Sequence, residues 1–149
     1  MAAYTTIVVG TDGSDTSLNA VDRAARLAAD SGATLVIACA YLPSRDEDIA
    51  REKDILGDEA YQIVGSAPAE DTLRTARDRA AAVGAAGIDT RVVRGRPADT
   101  LCAVAADASA DLLVVGNVGL NTLAGRILGS VPLQVARQAD VDVLIVHTS

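Results

Sequence analysis

The chain contains no phenylalanine and no tryptophan, and Tyr4, Tyr41 and Tyr61 are its only aromatic residues. A site that stacks a flavin or a run of bases on aromatic rings is therefore poorly supplied. Histidine is almost absent too: His147 is the only one. It stands at the end of the last strand-like run, with no serine or cysteine nucleophile recognisable beside it. A structural or strand-edge role suits it better than a catalytic triad. The two cysteines, Cys39 and Cys102, are far apart and form no metal-spaced pair. Each lies in an apolar run, which predicts buried free thiols. No cluster of ligand residues has zinc-type spacing.

Positive charge is also scarce. Thirteen Lys and Arg face twenty Asp and Glu, for a net charge of −7. Affinity for DNA or RNA comes largely from cations on phosphates, so a general nucleic-acid binder is excluded. The one basic cluster, Arg91, Arg94 and Arg96, reads as a solvated strand end. No basic leader precedes a long apolar segment, and no run approaches the roughly 18 apolar residues of a membrane span. The expectation is a soluble, cytoplasmic protein with no membrane partner.

What is present is alanine, valine and short apolar runs. With 149 residues, half of them hydrophobic, the chain suits one domain over 1–149 with an adequate core. Five runs read as strands, at 5–10, 33–40, 88–93, 111–115 and 141–146; those at 5–10, 33–40 and 111–115 have the apolar character of strands buried on both faces, and 141–146 is expected at a sheet edge. Between them lie helical patterns at 16–30, 68–83, 98–107 and 131–138. Leu18, Val21, Ala25 and Ala28 share one face of the first, Ser14 or Asp15 can cap it, and Gly32 ends it. Pro97 fits the first turn of the third. The stretch 44–66 is charged and weakly patterned, and is expected to hold a surface helix or a flap.

Strands alternating with helices predict an open five-stranded parallel α/β sheet with helices on both faces. In such sheets ligands sit beyond the carboxyl ends of the strands, where strand order reverses. If the first and fourth strands are neighbours, the turn at Asp12 faces the turn at Gly116.

The turn at Gly116 is the most informative stretch. It reads GNVGLNTLAGRILGS, follows the run Asp111 to Val115, and precedes Val131-Pro132. A glycine-rich turn between a strand and a helix N-terminus can aim backbone N–H groups at an anion. Ser130 stands where its N–H points out of that helix, as an N-cap, an anion contact, or both. Asp12 ends the first strand; it is either a ligand contact or a turn residue bonding its own backbone.

The spacing Gly116-x2-Gly119-x9-Gly129-Ser130 matches, at all four positions, the nucleotide signature G-2x-G-9x-G-(S/T) of the universal stress protein (UspA) family, which the chain resembles. The opening IVVGTDGSDTS, the segment GRPADTL and the closing VDVLIVHTS agree with it. The resemblance implies an adenine nucleotide alpha hydrolase-like fold with strand order 3-2-1-4-5. It implies an adenine-nucleotide site in which Gly116, Asn117, Val118, Gly119, Leu120, Asn121 and Thr122 form the loop. Gly129, Ser130 and Val131 would hold phosphate. Gly10 would let the adenosine approach, Ala40 would line the adenine through its backbone, and Asp12 would meet ribose hydroxyls or a phosphate-bound magnesium.

Many relatives carry Ser-Arg or Ser-His between the first two glycines, and here Asn117-Val118 stands instead. A basic partner for a polyphosphate is missing unless Arg126 replaces it. The GNVGL loop resembles an actinobacterial branch associated with cyclic AMP, which suits AMP or cyclic AMP as ligand beside ATP. The family commonly dimerises through the last strand, which implies a homodimer along Val141, Val143 and Ile145. The function expected is a nucleotide-binding regulator or buffer in stress response. A slow ATPase and a non-binding interaction module are the alternatives. A receiver domain would need a phosphorylatable Asp where Arg94-Gly95-Arg96 stands, and a flavodoxin would need aromatics.

Overall fold

The computed structural model describes residues 3–41, 66–117 and 130–148, with only the backbone at Ser66 and Ser130. The elements are β1 (Thr6–Gly10), α1 (Asp15–Ser31), β2 (Thr34–Tyr41), α2 (Ser66–Val83), β3 (Gly87–Arg94), α3 (Pro97–Asp107), β4 (Leu112–Gly116), α4 (Ser130–Gln138) and β5 (Asp142–Val146). Each lies where the sequence pattern puts one, with ends shifted by one or two residues. The part of 44–66 that precedes α2 lies outside the described residues, so the expected surface helix is not addressed by them.

All strands are parallel, in the order β3-β2-β1-β4-β5. The central strands are apolar throughout because helices cover both faces. Ile7, Val8, Val9, Leu35, Ile37, Leu113 and Val114 have no exposed surface. The edge strands β3 and β5 are mostly half-buried, and polar residues enter them.

Alternation along each strand splits the core in two. Ile7, Val9, Leu35, Ile37 and Val114 join the buried faces of α1 and α2. Val8, Val36, Leu113 and Val115 join α3 and α4. The helices meet the sheet mainly through small residues: Ala20, Ala24, Ala25 and Ala28 of α1 are buried. A core without large aromatic rings requires this close approach, since alanine leaves little volume between the layers.

Local signals fix the helix ends. Ser14 caps α1, its hydroxyl accepting from the Ser17 N–H at 3.2 Å. Gly32 closes α1 in the left-handed region, with φ 68°, and the Ala33 N–H returns to the Ala28 carbonyl at 2.9 Å. Arg79 of α2 makes a two-point ion pair with Asp22 of α1. Being partly exposed, it contributes on the order of 1 kcal/mol or less.

The amino end of the sheet is pinned by Asp111. Its carboxylate accepts from the Thr5 N–H at 2.9 Å and the Thr6 N–H at 3.0 Å, and meets the Thr5 hydroxyl at 3.2 Å. Loss of water contact alone would raise this carboxyl. The N–H groups of Thr5, Thr6 and Asp111 itself, with the Thr5 hydroxyl, outweigh that and hold it below its ordinary value. A carboxyl held low in the folded state stabilises fully above its unfolded value, and that contribution disappears as pH falls through the folded value. Asp111→Asn should therefore melt below wild type at neutral pH, with the gap closing as pH falls through the ordinary carboxylate range and then through the lowered folded-state value. Melting curves followed by circular dichroism at several pH values test this, and a gap that does not change with pH would contradict it.

Candidate functional site

β1 and β4 are the neighbours at which the two crossover directions part, as the strand order requires. Their register runs only through Ile7↔Leu112, Val8↔Leu113 and Val9↔Val114. Beyond it each strand bonds outward. Gly10 pairs with Ala38 of β2, and the Thr11 N–H donates to the Ala38 carbonyl at 3.0 Å. Gly116 pairs with Val146 of β5, and the Asn117 N–H donates to the Val146 carbonyl at 2.8 Å. The sheet therefore divides between β1 and β4 at its carboxyl end. A division of this kind is where an open parallel sheet forms its ligand crevice, and here Gly10, Thr11 and Asp12 stand on one side of it and Gly116 and Asn117 on the other.

The β1 wall is a hydroxyl network. Thr11 is buried, and its hydroxyl lies 2.8 Å from that of Ser17 and accepts from the Gly13 N–H at 3.1 Å. The Asp12 N–H donates to the Ser17 hydroxyl at 3.3 Å. Asp12 Oδ1 accepts from the Ser14 N–H at 2.9 Å, so the turn role expected of this residue is realised. That bond also aims the carboxylate. Gly13 sits at φ 85°, and a Cβ there would come within 3.0 Å of the Thr72 hydroxyl. Any other residue would strain this turn.

The N–H groups of the turn before α1 are thus occupied by the protein's own oxygens, and within the helix Ser14 caps the Ser17 N–H. Asp15 adds an acid to its first turn. α4 differs: its first turn carries no acidic residue. Of the helices that follow β1 and β4, α4 is the one without an acid in its first turn, which favours an anion at its N-terminus.

The universal stress protein family model matches residues 3–147. The chain belongs to the universal stress protein family. Universal stress protein Rv1636 of Mycobacterium tuberculosis is 55% identical over 149 residues, the full length of both chains. A crystal structure of a universal stress protein in complex with cAMP is 53% identical, with a TM-score of 0.76, over 99% of this chain and 100% of that one. UspA from Lactobacillus plantarum, at 24% identity, shares the fold with a TM-score of 0.76 over 98% of this chain and 99% of its own.

In this universal stress protein Gly10, Asp12, Ala40, Gly116 and Asn117 all stand at the carboxyl ends of β1, β2 and β4. Ser130 and Val131 open α4. Val118, Gly119, Leu120, Asn121, Thr122, Arg126 and Gly129 lie outside the described residues. Gly10 has a packing reason of its own. A Cβ there would come within 2.8 Å of both Leu101 methyl carbons, so the missing side chain admits α3 to the sheet. Among the described residues no group of three His, Cys, Asp or Glu side chains could hold a metal ion. Nor is any helix among them long and apolar enough to cross a membrane.

Cys39, at the end of β2, is fully buried and free. Burial, and then the Asp12 carboxylate, push its thiol up to about 12, so it stays protonated and is no nucleophile. Cys102 is free but half-buried rather than buried. Its thiol is also raised, by burial and by Asp99 and Asp140.

Two features were not anticipated from sequence. Thr11 and Ser17 build the β1 wall, although the hydroxyl-rich run TDGSDTS was their signal. Asn117 is 6% exposed and bonds to the residues that follow β5. That partnership depends on the β4–β5 register, which no local signal encodes.

Proposed function

We propose that this protein is an adenine-nucleotide-binding regulator that takes cyclic AMP at least as well as ATP, in the crevice between β1 and β4. The observation that carries this reading is the split of the sheet beyond Val9↔Val114, with Asp12 on one side and the α4 N-terminus on the other. The 53% identical universal stress protein crystallised with cAMP supports the choice of ligand. The lack of a basic residue beside Asn117 supports it as well, since Val118 offers nothing to a polyphosphate.

The roles follow from charge. A phosphate belongs at the α4 N-terminus, where the Ser130 and Val131 N–H groups open a helix with no acid in its first turn. Asp12 is the wrong sign for phosphate and the right one for ribose hydroxyls. Ala40 ends β2 beside β1, where its backbone can read an adenine edge. Magnesium would come with ATP, held by its phosphates, with Asp12 as one protein ligand. Hydrolysis would need a water-orienting group and charge stabilisation. Asp12 and Arg126 are the only candidates in the sequence, so a binding protein is favoured over an ATPase.

Calorimetric titration should give a cyclic AMP affinity equal to or above that for ATP. Asp12→Ala should weaken cyclic AMP about tenfold, because a hydrogen bond to a charged group contributes about 1.5 kcal/mol or more. A clear preference for ATP, with phosphate release that Asp12→Ala abolishes, would favour the enzyme instead.

We further propose a homodimer through β5. This strand is at the sheet edge, with β4 as its one neighbour in the sheet order. Val141, Val143 and Ile145 are partly buried against the α3–α4 core, and Leu133 of α4 is 42% exposed. An open parallel edge of this kind invites pairing. Val143→Pro should give monomers in light scattering with helix content retained. Unchanged dimers would exclude this edge.

A further inference from the structure

Asn117 is the residue at which β4 passes into the glycine-rich segment. On the crevice side it has no strand partner, because the β1–β4 ladder ends at Val9↔Val114. Everything seen to hold it comes from the other side. Its own N–H donates to the Val146 carbonyl at 2.8 Å. Its side-chain Oδ1 accepts from the Thr148 N–H at 2.9 Å and lies 3.0 Å from the Thr148 hydroxyl. Its Nδ2 lies 3.0 Å from His147 Nδ1. Thr148 is tied in turn to α1, where Asn19 Nδ2 donates to its carbonyl at 3.4 Å.

Chemistry settles which atom is which. A backbone N–H only donates, so the Asn117 atom that faces Thr148 is the oxygen. The amide nitrogen only donates, so His147 Nδ1 must accept. Nδ1 is therefore bare, and the ring hydrogen sits on Nε2. A buried side chain engaged in this way is turned to the tail of β5.

We propose that Asn117 is a positioning residue of the nucleotide site. It clamps the start of the glycine-rich segment to the tail of β5, and through Thr148 to α1, without touching the nucleotide. This role replaces the ligand contact that the family resemblance implies for Asn117, and it rests on the proposed function only for its binding readout.

Asn117→Asp and Asn117→Ala separate the possibilities. Aspartate keeps an oxygen for the Thr148 N–H and offers a second to His147, whose proton can move to Nδ1. Alanine keeps neither bond. Because His147 is the only histidine, the imidazole nitrogen NMR spectrum reports one ring. Without nucleotide, wild type should show the Nε2–H form with Nδ1 bare, and Asn117→Asp should carry the proton on Nδ1. A wild-type ring protonated at Nδ1, or averaging freely between forms, overturns the clamp with no ligand involved.

Cyclic AMP titrations give the second readout. Asn117→Asp should bind within about threefold of wild type, while Asn117→Ala should lose about tenfold. If aspartate instead loses more than alanine, its charge is meeting the phosphate, and Asn117 is a ligand contact. If neither variant changes the affinity, the clamp is only structural and the proposal fails. If wild type binds no adenine nucleotide, the functional reading falls and the positioning role with it, and the ring spectrum alone then shows whether the clamp exists.

Discussion

Three residue pairs hold the middle of this molecule together. Ile7, Val8 and Val9 of β1 lie against Leu112, Leu113 and Val114 of β4, and beyond them the two strands turn to their outer neighbours. The helices that follow β1 and β2 cover one face, and those that follow β3 and β4 cover the other. Right-handed crossovers running in opposite directions from a central pair carry the helices away from the gap beyond it. The crevice is thus a consequence of topology, and the residues on its walls are those that happen to end β1 and β4. Moving the ladder by one residue would turn every core side chain of β1 to the wrong face.

The composition of the chain serves the same geometry. Alanine-lined helices approach the sheet closely, and Gly10 takes this furthest by admitting Leu101. The close layers leave Cys39 fully buried, within the field of the Asp12 carboxylate. The two helices that start at the crevice are then distinguished by side chains alone. α1 is capped by Ser14 and carries Asp15 in its first turn, whereas α4 begins without an acid. On the proposed function, that difference orients the nucleotide with its phosphate toward α4.

The central strands were legible because each is a short apolar run buried on both faces, and helix α1 because Ser14 and Gly32 bracket an apolar face. The glycine spacing from Gly116 to Gly129 pointed to the family without any structure. Gly10 was read as room for a ligand, and its immediate partner is Leu101, on a helix distant in sequence. Asn117 was read as part of a ligand loop, and its side chain bonds to His147 and Thr148. Both depend on which distant element lies beside a residue, and periodicity carries no information on that. Cys102 shows the same limit at smaller scale: an apolar run predicted burial, and the turn of α3 leaves it half-exposed.

The central claim is that one adenine nucleotide lies across the divided end of the sheet, ribose toward Asp12 and phosphate toward α4. Backbone amide NMR of the protein titrated with cyclic AMP tests it most directly. The account predicts saturating shifts at Gly10, Asp12, Ala40, Gly116, Ser130 and Val131, and none at Thr5, Thr6 or Asp111 on the opposite end. Shifts confined to other surfaces, or no shift at saturating nucleotide, would contradict it.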